Sequence, residues 1–207
     1  MAFKIKLPFD WDRCFVGDRS TDCMPACIAM AVRFWKTIRP ELPFPEDLDS
    51  WKKFIAEQES MTSRGTSIKR LADNLRKINE NPSGVLTLTI DPLTLVNIES
   101  AEVFLKHNPP IPLIIVFDRS YTITNNEGGY HASMLYGLDY EKQKKVYLID
   151  PSSIDLMEAF PWDLDRFSVG WEKFQNLCFA VYPNDMNPIH SIPGERSKSL
   201  YRFEDDE

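Results

Sequence analysis

The sequence predicts an α+β domain in which N-terminal helices pack on a mostly antiparallel β-sheet. Apolar residues recur at helical three-and-four spacing before the turn cluster at residues 81–84. After that cluster, apolar and polar residues alternate or apolar residues form short continuous runs, and both patterns are typical of strands. The chain has 207 residues, of which 43% are apolar and 12% aromatic, so it can bury one substantial core.

Three helices are predicted before the turn cluster. The first extends from about residue 22 to residue 36, and Pro25 is tolerated there because it lies in the first turn. One face of this helix is apolar and consists of Cys23, Ala26, Cys27, Met30, Ala31, Phe34 and Trp35. The second helix begins after residues 45–47, whose acidic side chains complement the helix dipole, and the third begins after residues 65–67.

The chain after the turn cluster is predicted to form strands over residues 85–90, 111–117, 130–138, 145–150 and 177–182. Short helices are predicted over residues 99–107 and 163–174. Residues 1–19 are expected to be irregular, because proline, aspartate and glycine interrupt any period. We therefore predict one domain over residues 1–183 and a polar, acidic tail over residues 184–207, which is either poorly ordered or binds a protein partner.

Charge and cysteine content exclude several classes of function. The net charge of −7 argues against nucleic-acid binding, which requires a basic face. The sequence has no apolar run long enough for a membrane span and no apolar N-terminal stretch of a secretory signal, so a cytoplasmic location is expected. Its four cysteines are too few and scattered for a disulfide framework, and Cys23 and Cys27 lack a second pair of metal ligands. We expect neither a metal nor another cofactor.

Cys23 is the first candidate for a functional residue, because the predicted helix begins beside it. The positive end of the helix dipole favours a thiolate over a thiol, and the thiolate is the nucleophilic form. A buried cysteine can equally be a small hydrophobic residue of the core. A catalytic interpretation therefore requires a base, and the chain offers three histidines.

His131 is the histidine best placed to act as that base. It follows two glycines at the start of a predicted strand, and the next strand ends in Asp150. If the two strands form a hairpin centred between residues 141 and 142, Asp150 lies one diagonal step from His131 on the same face. A nucleophile, a base and an orienting carboxylate are the groups that thiol acyl transfer requires. Alternatively, His131 is a satisfied strand residue and Asp150 a turn residue.

Two stretches resemble one family, the papain-like double-glycine peptidases that remove leader peptides from bacteriocins. The first is Asp22-Cys23-Met24-Pro25-Ala26-Cys27-Ile28-Ala29-Met30, which is similar to the family's Asp-Cys-Gly-Pro/Ala-Ala-Cys-Leu-Ala-Met. The second comprises residues 129–137 and 146–151, which resemble the family's histidine strand and its Asp-Pro strand end. The resemblance implies a papain-like fold over residues 15–183. It also implies that Cys23 is the nucleophile, His131 the general base and later acid, and Asp150 the orienter.

The resemblance further implies a peptide or protein substrate and a thioester intermediate. The backbone N–H of Cys23 can be one donor to the oxyanion. Gly17 stands where the family carries the glutamine that supplies the second donor, so Arg19, Ser20 and a backbone amide remain candidates. Met24 replaces the usual glycine and is expected to narrow the cleft. The leading hypothesis is a hydrolase of peptide or isopeptide bonds, and the alternatives are a catalytically silent peptide-binding module and an acyltransferase.

Overall fold

The computed structural model describes residues 5–6, 16, 22–62, 65–80, 88–121, 129–140, 142–152 and 160–186. The helices are α1 (Cys23–Ile38), α2 (Leu48–Glu57), α3 (Ile68–Glu80), α4 (Glu102–Lys106) and α5 (Leu164–Glu172). Two 3₁₀ turns cover Ile98–Ala101 and Arg119–Tyr121. The strands are β1 (Ile5–Lys6), β2 (Met61–Thr62), β3 (Gly65–Thr66), β4 (Leu88–Thr94), β5 (Leu113–Asp118), β6 (Tyr130–Asp139), β7 (Lys145–Ile149), β8 (Phe160–Asp163) and β9 (Leu177–Pro183).

The main sheet has the order β4-β9-β5-β6-β7-β8, and β1 pairs separately with β6. Every pairing among the described strands is antiparallel. Strands β2 and β3 form a separate small hairpin between α2 and α3. The α+β class with N-terminal helices before an antiparallel sheet is therefore confirmed.

Most elements lie within a few residues of their predicted bounds. The expectation of an irregular N-terminus is wrong at Ile5–Lys6, which pairs with β6. Strand β4 continues through Pro92 to Thr94, whereas residues 85–87 of the predicted strand lie outside the described residues. A proline is tolerated there because β4 lies at the edge of the sheet, where β9 is its one partner among the described strands.

Helix α1 lies at the centre of the hydrophobic core. We predicted burial along one face, but every residue from Cys23 to Val32 is buried, as expected for a helix that is surrounded by other elements. It packs on β6, on β9 and on α2. The fully buried Trp35 donates its indole N–H to the Val181 carbonyl at 2.7 Å, which fixes the helix to β9. The helix as a whole is thereby held at a defined position against the sheet.

In the part of the β6–β7 hairpin nearer His131, the register is the one that the sequence predicts. Met134 faces Ile149 and Leu135 faces Leu148, so paired residue numbers sum to 283. A bulge between Leu135 and Gly137 changes the sum to 284 nearer the turn. The prediction therefore holds on the side of the bulge that carries His131.

The segment after β9 is described only as far as Met186. Asp185 accepts hydrogen bonds from the Arg39 guanidinium, which attaches this segment to the end of α1. The rest of the predicted tail lies outside the described residues, so the boundary at 183 stays a prediction. Among the helices of the described chain, none is long and apolar enough to cross a membrane.

Candidate active site

Cys23 is the first residue of α1 and is 7% exposed. The first hydrogen bond inside the helix runs from the Ala26 N–H to the Asp22 carbonyl at 2.9 Å. The N–H groups of Cys23 and Met24 precede that bond, and Pro25 has no N–H, so the helix does not consume these two donors. A thiol in this position experiences the positive end of the helix dipole.

His131 lies near the start of β6 and joins Cys23 to Asp150. Its Nε2 is 2.6 Å from Asp150 Oδ1, and both side chains are nearly buried, with 6% of each residue exposed. The Cys23 side chain lies close enough to the imidazole to raise its pKa. Since Asp150 occupies Nε2, Nδ1 is the ring nitrogen left for the thiol. The structure thus brings together all three residues that the sequence singled out, with the imidazole in the middle.

Phe117 forms one wall of the imidazole site. It pairs with His131 across β5 and β6, and the two rings contact edge to face at a centroid distance of 5.9 Å. Phe117 itself packs against Phe167 of α5 and is fully buried. This apolar wall limits the orientations of the ring, so that its two nitrogens stay aligned with Cys23 and Asp150.

Asp150 is held by two residues that sequence reasoning missed. The backbone N–H and hydroxyl of Ser152 donate to Asp150 Oδ1 at 2.9 and 2.6 Å. Arg119 Nη2 lies 3.5 Å from Asp150 Oδ2, and its Nη1 donates to the Ser152 hydroxyl at 3.2 Å. A serine two residues after an aspartate is a local signal for such a turn, whereas the Arg119 contact follows from the order of β5, β6 and β7 in the sheet.

The three groups polarise one another. Burial disfavours the imidazolium, but the hydrogen bonds and negative charges of Asp150 and Cys23 outweigh it and raise the pKa of His131 to about 9. Burial likewise opposes ionisation of Asp150, yet the His131 contact and the Ser152 hydrogen bonds lower its pKa to about 2. At neutral pH the arrangement therefore favours a His131 imidazolium that is paired with an ionised Asp150.

We expect the free energy of unfolding to depend on pH through this pair. His131 has a raised pKa, so its stabilising contribution is complete below pH 6.5, the ordinary pKa of histidine. That contribution is lost as pH rises through about 9. Asp150 has a depressed pKa, so its contribution is complete above 3.8 and is lost as pH falls through about 2. Urea titrations should give a free energy of unfolding that is higher at pH 5 than at pH 9 by on the order of 2 kcal/mol. Asp150→Asn should remove most of that difference. An equal difference in the variant would contradict this assignment.

Tyr130 is a further residue of the site that the sequence did not indicate. Its hydroxyl donates to the Thr66 carbonyl and so joins β6 to the small β2–β3 hairpin. Burial raises the pKa of Tyr130 well above its usual range, and the negative charge of Cys23 raises it further. The phenol therefore stays neutral beside Cys23, and its hydrogen bond holds the small hairpin against β6.

The expected role of Met24 is wrong. Its side chain is fully buried in the core, so it does not face a cleft beside Cys23. The methionine contributes to the packing of α1 instead. Gly17 and the oxyanion candidates Arg19 and Ser20 lie outside the described residues, so their roles stay predictions. No cluster of three metal-binding side chains occurs within the described ranges.

The protein thus has an α+β fold in which a helix N-terminus that bears a thiol packs on an antiparallel sheet that carries an imidazole and a carboxylate. A crystallised protein from Bacillus anthracis, described as a C39-like peptidase, has this fold: it matches 87% of this chain and 98% of its own, with a TM-score of 0.52 and 14% sequence identity. At that identity the comparison shows the fold alone. No family model and no curated protein matches the chain.

Proposed function

We propose that the protein is a cysteine-dependent hydrolase that cleaves a peptide or isopeptide bond, with Cys23 as nucleophile, His131 as base and acid, and Asp150 as orienter. The observation that carries the proposal is the 2.6 Å hydrogen bond between His131 Nε2 and Asp150 Oδ1, made by an imidazole that also lies close enough to the Cys23 side chain for the two to interact electrostatically. A core cysteine and a satisfied strand histidine have no need of this alignment. The fold shared with a C39-like peptidase supports the same class of reaction.

The proposed reaction begins when the Cys23 thiolate attacks the carbonyl carbon of the scissile bond, which forms a C–S bond and an oxyanion. The His131 imidazolium gives its proton to the leaving nitrogen as the C–N bond breaks, leaving a thioester. His131 then removes a proton from water, whose oxygen attacks the thioester. Collapse of the second intermediate breaks the C–S bond, releases the carboxylic acid product and returns the thiolate and imidazolium pair.

The oxyanion formed in both steps requires preorganised donors, and each is typically worth about 10²- to 10³-fold in rate. The N–H of Cys23 is one donor in this proposal, because it precedes the first intrahelical bond. The helix dipole adds favourable potential at the same position. The second donor belongs to the segment that contains Gly17, Arg19 and Ser20, which remains a sequence-based prediction.

Alkylation by iodoacetamide near pH 6 tests whether Cys23 is activated. We expect Cys23 to react at least about tenfold faster in the folded protein than in the urea-unfolded chain, where its thiol is ordinary. The rates of Cys14, Cys27 and Cys178, resolved by peptide mapping, provide internal comparisons. If Cys23 reacts no faster than Cys14 or Cys178, the activated nucleophile is excluded.

Acylation by p-nitrophenyl acetate distinguishes the hydrolase from its two alternatives. A hydrolase should form an acetyl thioester on Cys23 and release it to water with repeated turnover. An acyltransferase should release it chiefly to an added amine such as glycinamide. A silent binding module should form no adduct, and that result would overturn the proposed reaction.

A further inference from the structure

Asp22 is an unusual residue at the start of a helix. Aspartate at the N-cap normally accepts a hydrogen bond from a backbone N–H of the first turn, but the Asp22 side chain makes no such bond. Asp22 is 2% exposed, and its Oδ2 instead accepts a hydrogen bond from Lys52 Nζ at 2.9 Å. A buried carboxylate directly before the proposed nucleophile is thus held by a lysine of α2.

Two effects of this ion pair concern Cys23. An unpaired Asp22 carboxylate would place a negative charge next to the thiolate and disfavour it, and Lys52 compensates that charge. The carboxylate could also turn to cap the helix. Pro25 has no N–H, so Met24 would supply the N–H for that bond. Lys52 keeps the carboxylate away from the end of the helix where the oxyanion is expected.

We propose that Lys52 is a positioning residue that withdraws the Asp22 carboxylate from the N-terminus of α1. Its ammonium thereby keeps the thiolate of Cys23 favoured and the N–H groups of Cys23 and Met24 available. This inference rests on the proposed function, since those groups matter only if Cys23 attacks a carbonyl. Lys52 itself does not touch the substrate.

Among the described residues, charged and titratable groups approach Cys23 from the start of α1, from α2, from β6 and from the end of β7. Asp22 precedes it, Lys52 approaches from α2, His131 and Tyr130 face it from β6, and Asp150 lies beyond His131. Lys52 is remote from the row formed by Cys23, His131 and Asp150, and it still contacts the residue beside the thiol. Its substitution therefore changes the field at Cys23 while the row itself stays intact.

The test compares the pH profile of Cys23 alkylation by iodoacetamide in Lys52→Met and in the unaltered protein. Methionine keeps an unbranched apolar chain and removes the charge. We expect the pH at half-maximal rate to rise by about one unit, which makes alkylation about tenfold slower at pH 6. Lys52→Arg should restore the profile. In the double variant Asp22→Asn with Lys52→Met, the pH at half-maximal rate should move back toward that of the unaltered protein, because the unpaired carboxylate is gone.

Lys53→Met is the matched control, since Lys53 lies on the same helix and is largely exposed. It should leave the alkylation profile unchanged. A purely structural role for Lys52 would lower the melting temperature of Lys52→Met without moving its profile, and that result would overturn the inference. A shifted profile in a protein that never turns over p-nitrophenyl acetate would reject the proposed function and leave the positioning role standing. Turnover of p-nitrophenyl acetate together with an unshifted alkylation profile in Lys52→Met would reject the positioning role of Lys52 and leave the proposed function in place.

Discussion

Replacing Cys23 by alanine is expected to abolish turnover of p-nitrophenyl acetate, with a loss of at least about 10³-fold in kcat/KM. The thiolate is the atom that forms the covalent intermediate, so no neighbouring group can take its place. The fold should survive, because the substitution removes a single sulfur atom at the first residue of α1. Steady-state kinetics measures the loss, and mass spectrometry should find no acetyl group on the variant.

Cys27→Ala is the control for this prediction. Cys27 lies one turn further along the same helix, is fully buried, and donates its Sγ–H to the Ala132 carbonyl at 3.5 Å. It is therefore a cysteine of the same helix with a structural contact and no place in the proposed reaction. Its variant should keep turnover within about threefold and lose some thermal stability, as expected for a small change in a packed core. Equal losses of turnover in both variants would indicate that the helix, not the thiol, is required.

The part of the site that could be predicted from sequence is local. The hairpin of β6 and β7 has a short connection, so the positions of His131 and Asp150 relative to the turn were enough to estimate their pairing. The bulge at Tyr136 was not visible in the residue pattern, but it lies between the turn and His131 and changes the register by only one residue. The placement of Cys23 likewise followed from a helix start beside a proline.

Contacts between distant segments could not be predicted in this way. Lys52 reaches Asp22 across 30 residues and Arg119 reaches Ser152 across 33, through the packing of helices and strands that no local pattern specifies. The burial of Met24 also follows from tertiary packing, because α1 is buried all round from Cys23 to Val32. Very short strands such as Ile5–Lys6 carry too few residues for an alternation to be recognised, and Phe160–Asp163 includes a proline.

Replacing Asp150 by asparagine should lower kcat/KM for p-nitrophenyl acetate by about 10²- to 10⁴-fold. Asparagine keeps the size of the side chain but loses the charge, so the hydrogen bond to His131 Nε2 no longer favours the imidazolium. The amide can also donate to Nε2 and stabilise the wrong tautomer. The pKa of His131, which Asp150 helps raise to about 9, should fall in the variant, because the burial that opposes the imidazolium remains.

NMR titration of the His131 ring measures that change directly, and His107 provides an internal reference outside the site. Asp91→Asn is the matched control, since Asp91 is also 6% exposed and accepts from the Tyr182 hydroxyl instead of a histidine. It should leave the His131 titration and kcat/KM unchanged. If Asp150→Asn lowers stability as Asp91→Asn does but leaves the titration of His131 in place, Asp150 supports the fold and does not orient the base. A downward shift of the titration with loss of turnover assigns Asp150 to the reaction, because only a group that acts on the imidazole changes both.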